Sequence, residues 1–137
     1  MLNWLKGLVL GPGKHSLKEY GVIELKCIED LDRALDHSAQ TSIAIYKHST
    51  TCPLSAAAHR QVAQYHEQAG GSAAPVYLVK VIEARPVSNE IARRLGVRHQ
   101  SPQFLVVDDG VAVKQMAHGA ISTAAIQMAI EEAAKKS

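Results

Sequence analysis

Three times in succession a short β-rich run is followed by a segment with helical periodicity, and this alternation restricts the possible folds more than any single residue does. After Gly21, "VIELK" alternates as a strand does, and "IEDLDRALDHS" places Ile28, Leu31 and Leu35 on one helical face with acids in its first turn. "TSIAIYK" is the second strand-like run, and Ala58, Val62, Tyr65 and Ala69 follow at helical spacing until Gly70-Gly71 stops them. "PVYLVKVI" is a continuous apolar strand, and "SNEIARRLG" predicts a helix capped by Ser88 and ended by Gly96. The pattern then changes. "QFLVVDDGVAVKQMA" is two strand-like runs joined by Asp109-Gly110, a hairpin dipeptide, and "STAAIQMAIEEAAKKS" closes the chain as a helix with Lys135 and Lys136 at its cation-favouring end. The expected order is βαβαβαββα: an α/β fold with a mixed sheet, in which right-handed crossovers join parallel strands and a closing hairpin adds antiparallel ones.

A chain of 137 residues is the size of one domain, and residues 21–137 are assigned to it, with residues 1–20 as an N-terminal extension. Hydrophobic residues at 47% and charged residues at 20% describe a globular, soluble chain. The 15 basic and 13 acidic side chains are interspersed, so no basic stripe tracks a phosphate backbone and nucleic acid is not an expected partner. The start, "MLNWLKGLVLGPGK", has Lys6 inside a short apolar run and no small-residue cleavage site after it, so export is not expected. It is also far short of the roughly 20 apolar residues a membrane span needs, although Leu2, Leu5, Leu8 and Val9 could form a short amphipathic helix. Two cysteines at unrelated positions make no secreted disulfide framework and fit a reducing cytoplasm.

One of those cysteines stands where its chemistry changes. In "HSTTCPLSAAAHR", Cys52 follows a strand and a polar turn and precedes Pro53, a residue suited to a helix's first position. Unpaired N–H groups and the positive end of the helix dipole favour a thiolate there, and Lys47 and His48 are near enough in sequence to add positive potential. The competing identity is a small buried apolar residue. Ser55 stands three residues on, where a dithiol enzyme has its second cysteine. Cys27, at the end of the first strand, is expected to be a core residue. In the strand order that an α/β fold of this kind usually adopts, it would lie two strands, about 10 Å, from the strand leading to Cys52, whereas a disulfide needs Cα atoms within about 7 Å. A thiolate without a local partner can still attack a disulfide, leaving a mixed disulfide that an outside thiol must clear. In "GVRHQSPQFLVV", Pro102 precedes a strand, one of the few settings in which a cis X-Pro bond is tolerated. His59 and His66 lie about 10 Å apart along one helix, too far to share a metal ion, and are expected to be solvated; no metal site is expected. No phosphate-cradling glycine loop or GxSxG elbow is present.

"KHSTTCPLS", "VIEARPVSNEIARRLGVRHQSPQ" and "DDGVAVKQMAHGAIS" together resemble the monothiol bacilliredoxin family of the bacillithiol system, over about residues 24–132. The resemblance implies a three-layer α/β/α thioredoxin-like fold. It implies Cys52 as the active cysteine, Thr51, Pro53 and Ser55 as the rest of its motif, and Ser101-Pro102 as a cis-proline loop. It implies removal of bacillithiol, a cysteine–glucosamine–malate thiol, from modified client proteins, with bacillithiol as co-substrate and no tightly bound cofactor. Lys47, His48, Arg98 and His99 are the candidate substrate-binding residues on charge grounds, against the alternative that they are solvated surface residues. Two other functions suit a single reactive cysteine: a redox sensor without turnover, and a carrier that holds a thiol or an iron–sulfur cluster.

Overall fold

The structure, a computed structural model, describes residues 16–136. The expected helix through Leu2, Leu5, Leu8 and Val9 lies outside the described residues. Strand β1 is Ile23–Glu24, β2 Ile43–His48, β3 Val76–Lys80, β4 Gln103–Asp108 and β5 Val111–Ala117. Helix α1 is Ile28–His37, α2 Pro53–Ala69, α3 Arg85–Leu95 and α4 Thr123–Lys136, which gives the expected order of elements. The strands stand in the order β1-β3-β2-β4-β5, with β1, β3 and β2 parallel and the last two pairings antiparallel.

Strand alternation divides the core into two layers. Ala44 and Tyr46 of β2 face α2 and α4, where Ala58, Val62, Ile126 and Ala129 are buried. Ile43 and Ile45 face α1 and α3, against Leu31, Ala34, Val87 and Ile91. The result is a sheet between two helical layers. At the hairpin, Asp109 and Gly110 take φ of 48° and 75°, the left-handed pair that a tight two-residue turn requires. Ser38 at the end of α1 anchors that turn: its carbonyl accepts the Asp109 N–H at 2.8 Å and its Oγ the Gly110 N–H at 2.9 Å.

Three local expectations are corrected. The first strand is only two residues long, because the chain leaves the sheet after Leu25, and Cys27 is therefore not a core residue. It is the exposed N-cap of α1, where Asp30 Oδ2 accepts the N–H groups of Lys26 at 2.8 Å and Cys27 at 3.2 Å. Ser88 does not cap α3; the helix begins at Arg85, its start marked by Pro86 in the first turn, and Ser88 is buried inside it. His59 and His66 are not solvated. His66 is 5% exposed and stacks on Tyr20 at 5.4 Å, and His59 is half-buried against Tyr46. At the described end of the 1–20 extension, Leu17 is 2% exposed and packs with the α2/α4 layer through a 3-10 turn at Leu17–Tyr20.

Candidate active site

Cys52 is the N-cap of α2, half-buried, with extended backbone dihedrals. It follows the turn that lets the chain leave β2 and enter the helix. Ser55, wholly buried, closes this turn by accepting the Ser49 N–H on its Oγ at 3.2 Å. Cys52 N–H is 3.4 Å from the Ser49 carbonyl, and the hydroxyls of Ser49 and Thr51 lie 3.3 Å apart. Beneath the turn, Tyr46 donates toward the Ser55 carbonyl at 3.3 Å and meets His48 Nδ1 at 3.0 Å. Pro53 occupies the first helical position, where its missing N–H costs nothing.

The open amides of Ser55 and then Leu54 hold the Cys52 thiol below the usual cysteine range, with a further contribution from the Ser55 side chain, and this outweighs the opposing effect of burial. These amides form no full capping hydrogen bond with the sulfur and favour the thiolate electrostatically. Cys27 differs. The Asp30 N–H favours its thiolate, but desolvation and the side chains of Asp30 and Glu29 together push the thiol up. Two helix N-caps thus carry cysteines of opposite disposition, because α1 begins with acids and α2 has none in its first turn.

The Ser101–Pro102 peptide bond is cis. Gln103 pairs with Lys47 across β2 and β4, which brings Pro102, one residue earlier, to the sheet end where β2 runs into the Cys52 turn. The loop is tied by Gln103 Nε2, which donates to the Arg98 carbonyl at 3.0 Å, and by the His118 N–H, which donates to the Pro102 carbonyl at 3.1 Å. His48, Thr51, Pro53 and Ser55 are therefore assembled with Cys52, and Ser101 and Pro102 stand at the same end of the sheet.

Lys47 departs from expectation. Strand β2 runs through it to His48, so Lys47 is not a loop cation. It is wholly buried on the α1/α3 face of the sheet, where Nζ donates to the Ser88 carbonyl at 3.0 Å and meets His99 Nδ1 at 3.0 Å. Burial lowers its amine to about 8. His99 is lowered by desolvation and by the charges of Lys47 and Arg85, while Arg98 is exposed on the loop after α3. His48 is pushed down to about 4, chiefly by burial and then by His59 and Lys80. Sequence reasoning missed Tyr46 and His59, whose rings frame His48 at 5.7 and 4.7 Å. Strand alternation was the available signal for Tyr46, which shares a face with His48.

Residues 23–126 match the family described as monothiol bacilliredoxin BrxC, over most of the chain. The chain belongs to the monothiol bacilliredoxin family. Its fold recurs in a solved structure provisionally described as an oxidoreductase with a thioredoxin fold, at 28% identity and TM-score 0.70, covering 79% of this chain and 92% of that one. Two thioredoxins share the fold at lower identity. That of Malassezia sympodialis (Mala s 13) has TM-score 0.65 at 17% identity, covering 82% of this chain and 90% of its own. That of Fasciola hepatica has TM-score 0.66 at 12% identity, covering 82% and 99%. A bacilliredoxin with a thioredoxin-like fold is, in general terms, a thiol–disulfide oxidoreductase. Among the described residues, no helix is long and apolar enough to cross a membrane.

Proposed function

We propose that the protein removes bacillithiol from S-bacillithiolated client proteins by monothiol exchange at Cys52. The observation that carries this reading is the pairing of a half-buried thiol, lowered by the open amides of α2, with a wholly buried Ser55 where a resolving cysteine would stand. The Cys52 thiolate attacks the bacillithiol sulfur of a protein–bacillithiol disulfide. The old S–S bond breaks, the client leaves as a thiolate that takes up a proton, and a Cys52–bacillithiol disulfide forms. A second low-molecular-weight thiol then attacks this mixed disulfide and leaves with the bacillithiol as a small disulfide, returning Cys52 as thiolate. Oxidation state is conserved at each exchange. The loop at Ser101-Pro102 is assigned to aligning the incoming disulfide, and Arg98 and His99 to its surroundings; Lys47, being buried and engaged, is assigned a supporting role behind His99. This reading supposes a cytoplasmic protein in a cell that uses bacillithiol.

Mass spectrometry tests the transfer. After the reduced protein is mixed with a bacillithiolated model protein, the Cys52 peptide should gain one bacillithiol and the model protein should lose it, and Cys52→Ser should abolish both changes. A model protein that keeps its adduct in the presence of excess reduced wild type would overturn the assignment.

A further inference from the structure

The parallel strands β1, β3 and β2 end side by side, and a cavity of about 750 Å³ opens at their carboxyl ends on the α2 side of the sheet. Ligands of open α/β sheets bind at this kind of place, because loops diverge there and leave backbone and side-chain groups unpaired. Lys26 comes from just beyond β1, Lys80 from the end of β3, and His48 and Thr50 from the end of β2, two residues before Cys52. Lys18, on the 3-10 turn, and His59, on α2, complete the polar part of the wall. Lys80 makes a long ion pair with Glu24 at 3.7 Å, and Glu83 stands 3.5 Å from the Thr50 hydroxyl. Three lysines against Glu24 in the lining and Glu83 at its edge leave the cavity with one net positive charge. His48 and His59, both lowered by burial, present neutral rings 4.7 Å apart. A cavity of this volume lined by lysines, a threonine and two imidazoles suits a small anionic ligand better than an apolar one.

We propose that this cavity receives the carboxylate-bearing part of a low-molecular-weight disulfide whose sulfur end reaches Cys52, with Lys18, Lys26 and Lys80 supplying charge and His48, Thr50 and His59 the hydrogen-bonding wall. The placement rests on thiol exchange at Cys52. It moves small-molecule recognition away from Lys47, whose amine is engaged on the other face of the sheet.

The test compares two disulfides, the dianionic bis(carboxynitrophenyl) disulfide and the neutral dipyridyl disulfide, in a full-length Cys27→Ser background so that only Cys52 reacts. The Lys26→Gln/Lys80→Gln variant should slow the dianionic probe about three- to tenfold at low ionic strength while leaving the neutral probe within about twofold, and salt near 0.5 M should shrink the difference. Lys18→Gln, on an exposed turn, provides a second variant with the same expected direction. Succinate should compete with the dianionic probe and leave the neutral one untouched. Equal slowing of both probes, no slowing of either, or succinate binding without competition would overturn the proposal. The neutral probe reads the exchange chemistry separately: if Cys52 fails to react with it in the wild type, thiol exchange itself falls, whereas failure of the cavity leaves that rate intact.

Discussion

At the scale of single residues, two cysteines at two helix N-caps separate position from reactivity. Cys27 is exposed and Cys52 half-buried, so accessibility alone would make Cys27 the more reactive. The electrostatics run the other way, with Cys52 lowered and Cys27 raised. Iodoacetamide titrated near neutral pH and read by peptide mapping should therefore modify Cys52 first, with the inflection for Cys52 below that for Cys27; the reverse order would refute the role given to the α2 amides. Lys47 makes a second residue-scale case. Its folded pKa of about 8 lies below the ordinary 10.5, so between these values the unfolded chain binds more protons and this group's contribution to stability rises with pH. Below pH 8 the buried cation is a standing cost. Lys47→Met should thus gain on the wild type at pH 7, with the gap closing toward pH 10.5, as followed by urea midpoints at each pH. The burial of Lys47 was not legible beforehand, because its partners Ser88 and His99 lie 41 and 52 residues away and nothing local signals them.

At the scale of elements, legibility follows how local the cause is. The hairpin is readable from Asp109-Gly110 because the turn needs two left-handed residues and this dipeptide supplies them. Gly110→Ala puts a Cβ on a residue held at φ 75° and should cost about 1–2 kcal/mol in chemical denaturation, with the slope of the transition unchanged. A loss near zero would mean that the turn reshapes despite its ties to Ser38. The start of α2 was readable for the same reason, since Cys52-Pro53 carries its own geometry. The start of α3 was misread, because Ser88 offers an N-cap chemistry that Pro86 overrides by fixing the first turn two residues earlier. The length of β1 was also misread. "VIELK" has a strand's alternation, but an edge strand extends only as far as its neighbour pairs with it, and the β3 register stops at Glu24.

At the scale of the whole molecule, the parallel order and two-layer core followed from three βα units and one hairpin, while the cavity did not, because it draws on residues from five separate elements. Burial also sets the molecule's response to acid. His48, His59, His66 and His99 are all lowered chiefly by desolvation, His48 to about 4 from 6.5. As pH falls through this window the unfolded chain takes up protons first, so stability present above pH 6.5 is progressively lost toward pH 4. Asp30 and Glu90, lowered by their hydrogen-bonded partners, continue the loss at more acidic pH. Urea midpoints should decline between pH 7 and 5, well before the carboxylates titrate; a flat profile there would show that the histidines gain water access in the folded state.

The strand order places β2 at the centre, with two strands on either side, and puts two-residue β1 at the rim. Amide hydrogen exchange should register this as two clocks. The β2 amides leading to Cys52 can trade with solvent deuterium only when the whole sheet comes apart, whereas those around Cys27 are free to do so through small local openings. The Cys52 sulfur thus hangs from the part of the backbone expected to exchange slowest, and brief fluctuations at the rim should leave its alignment undisturbed.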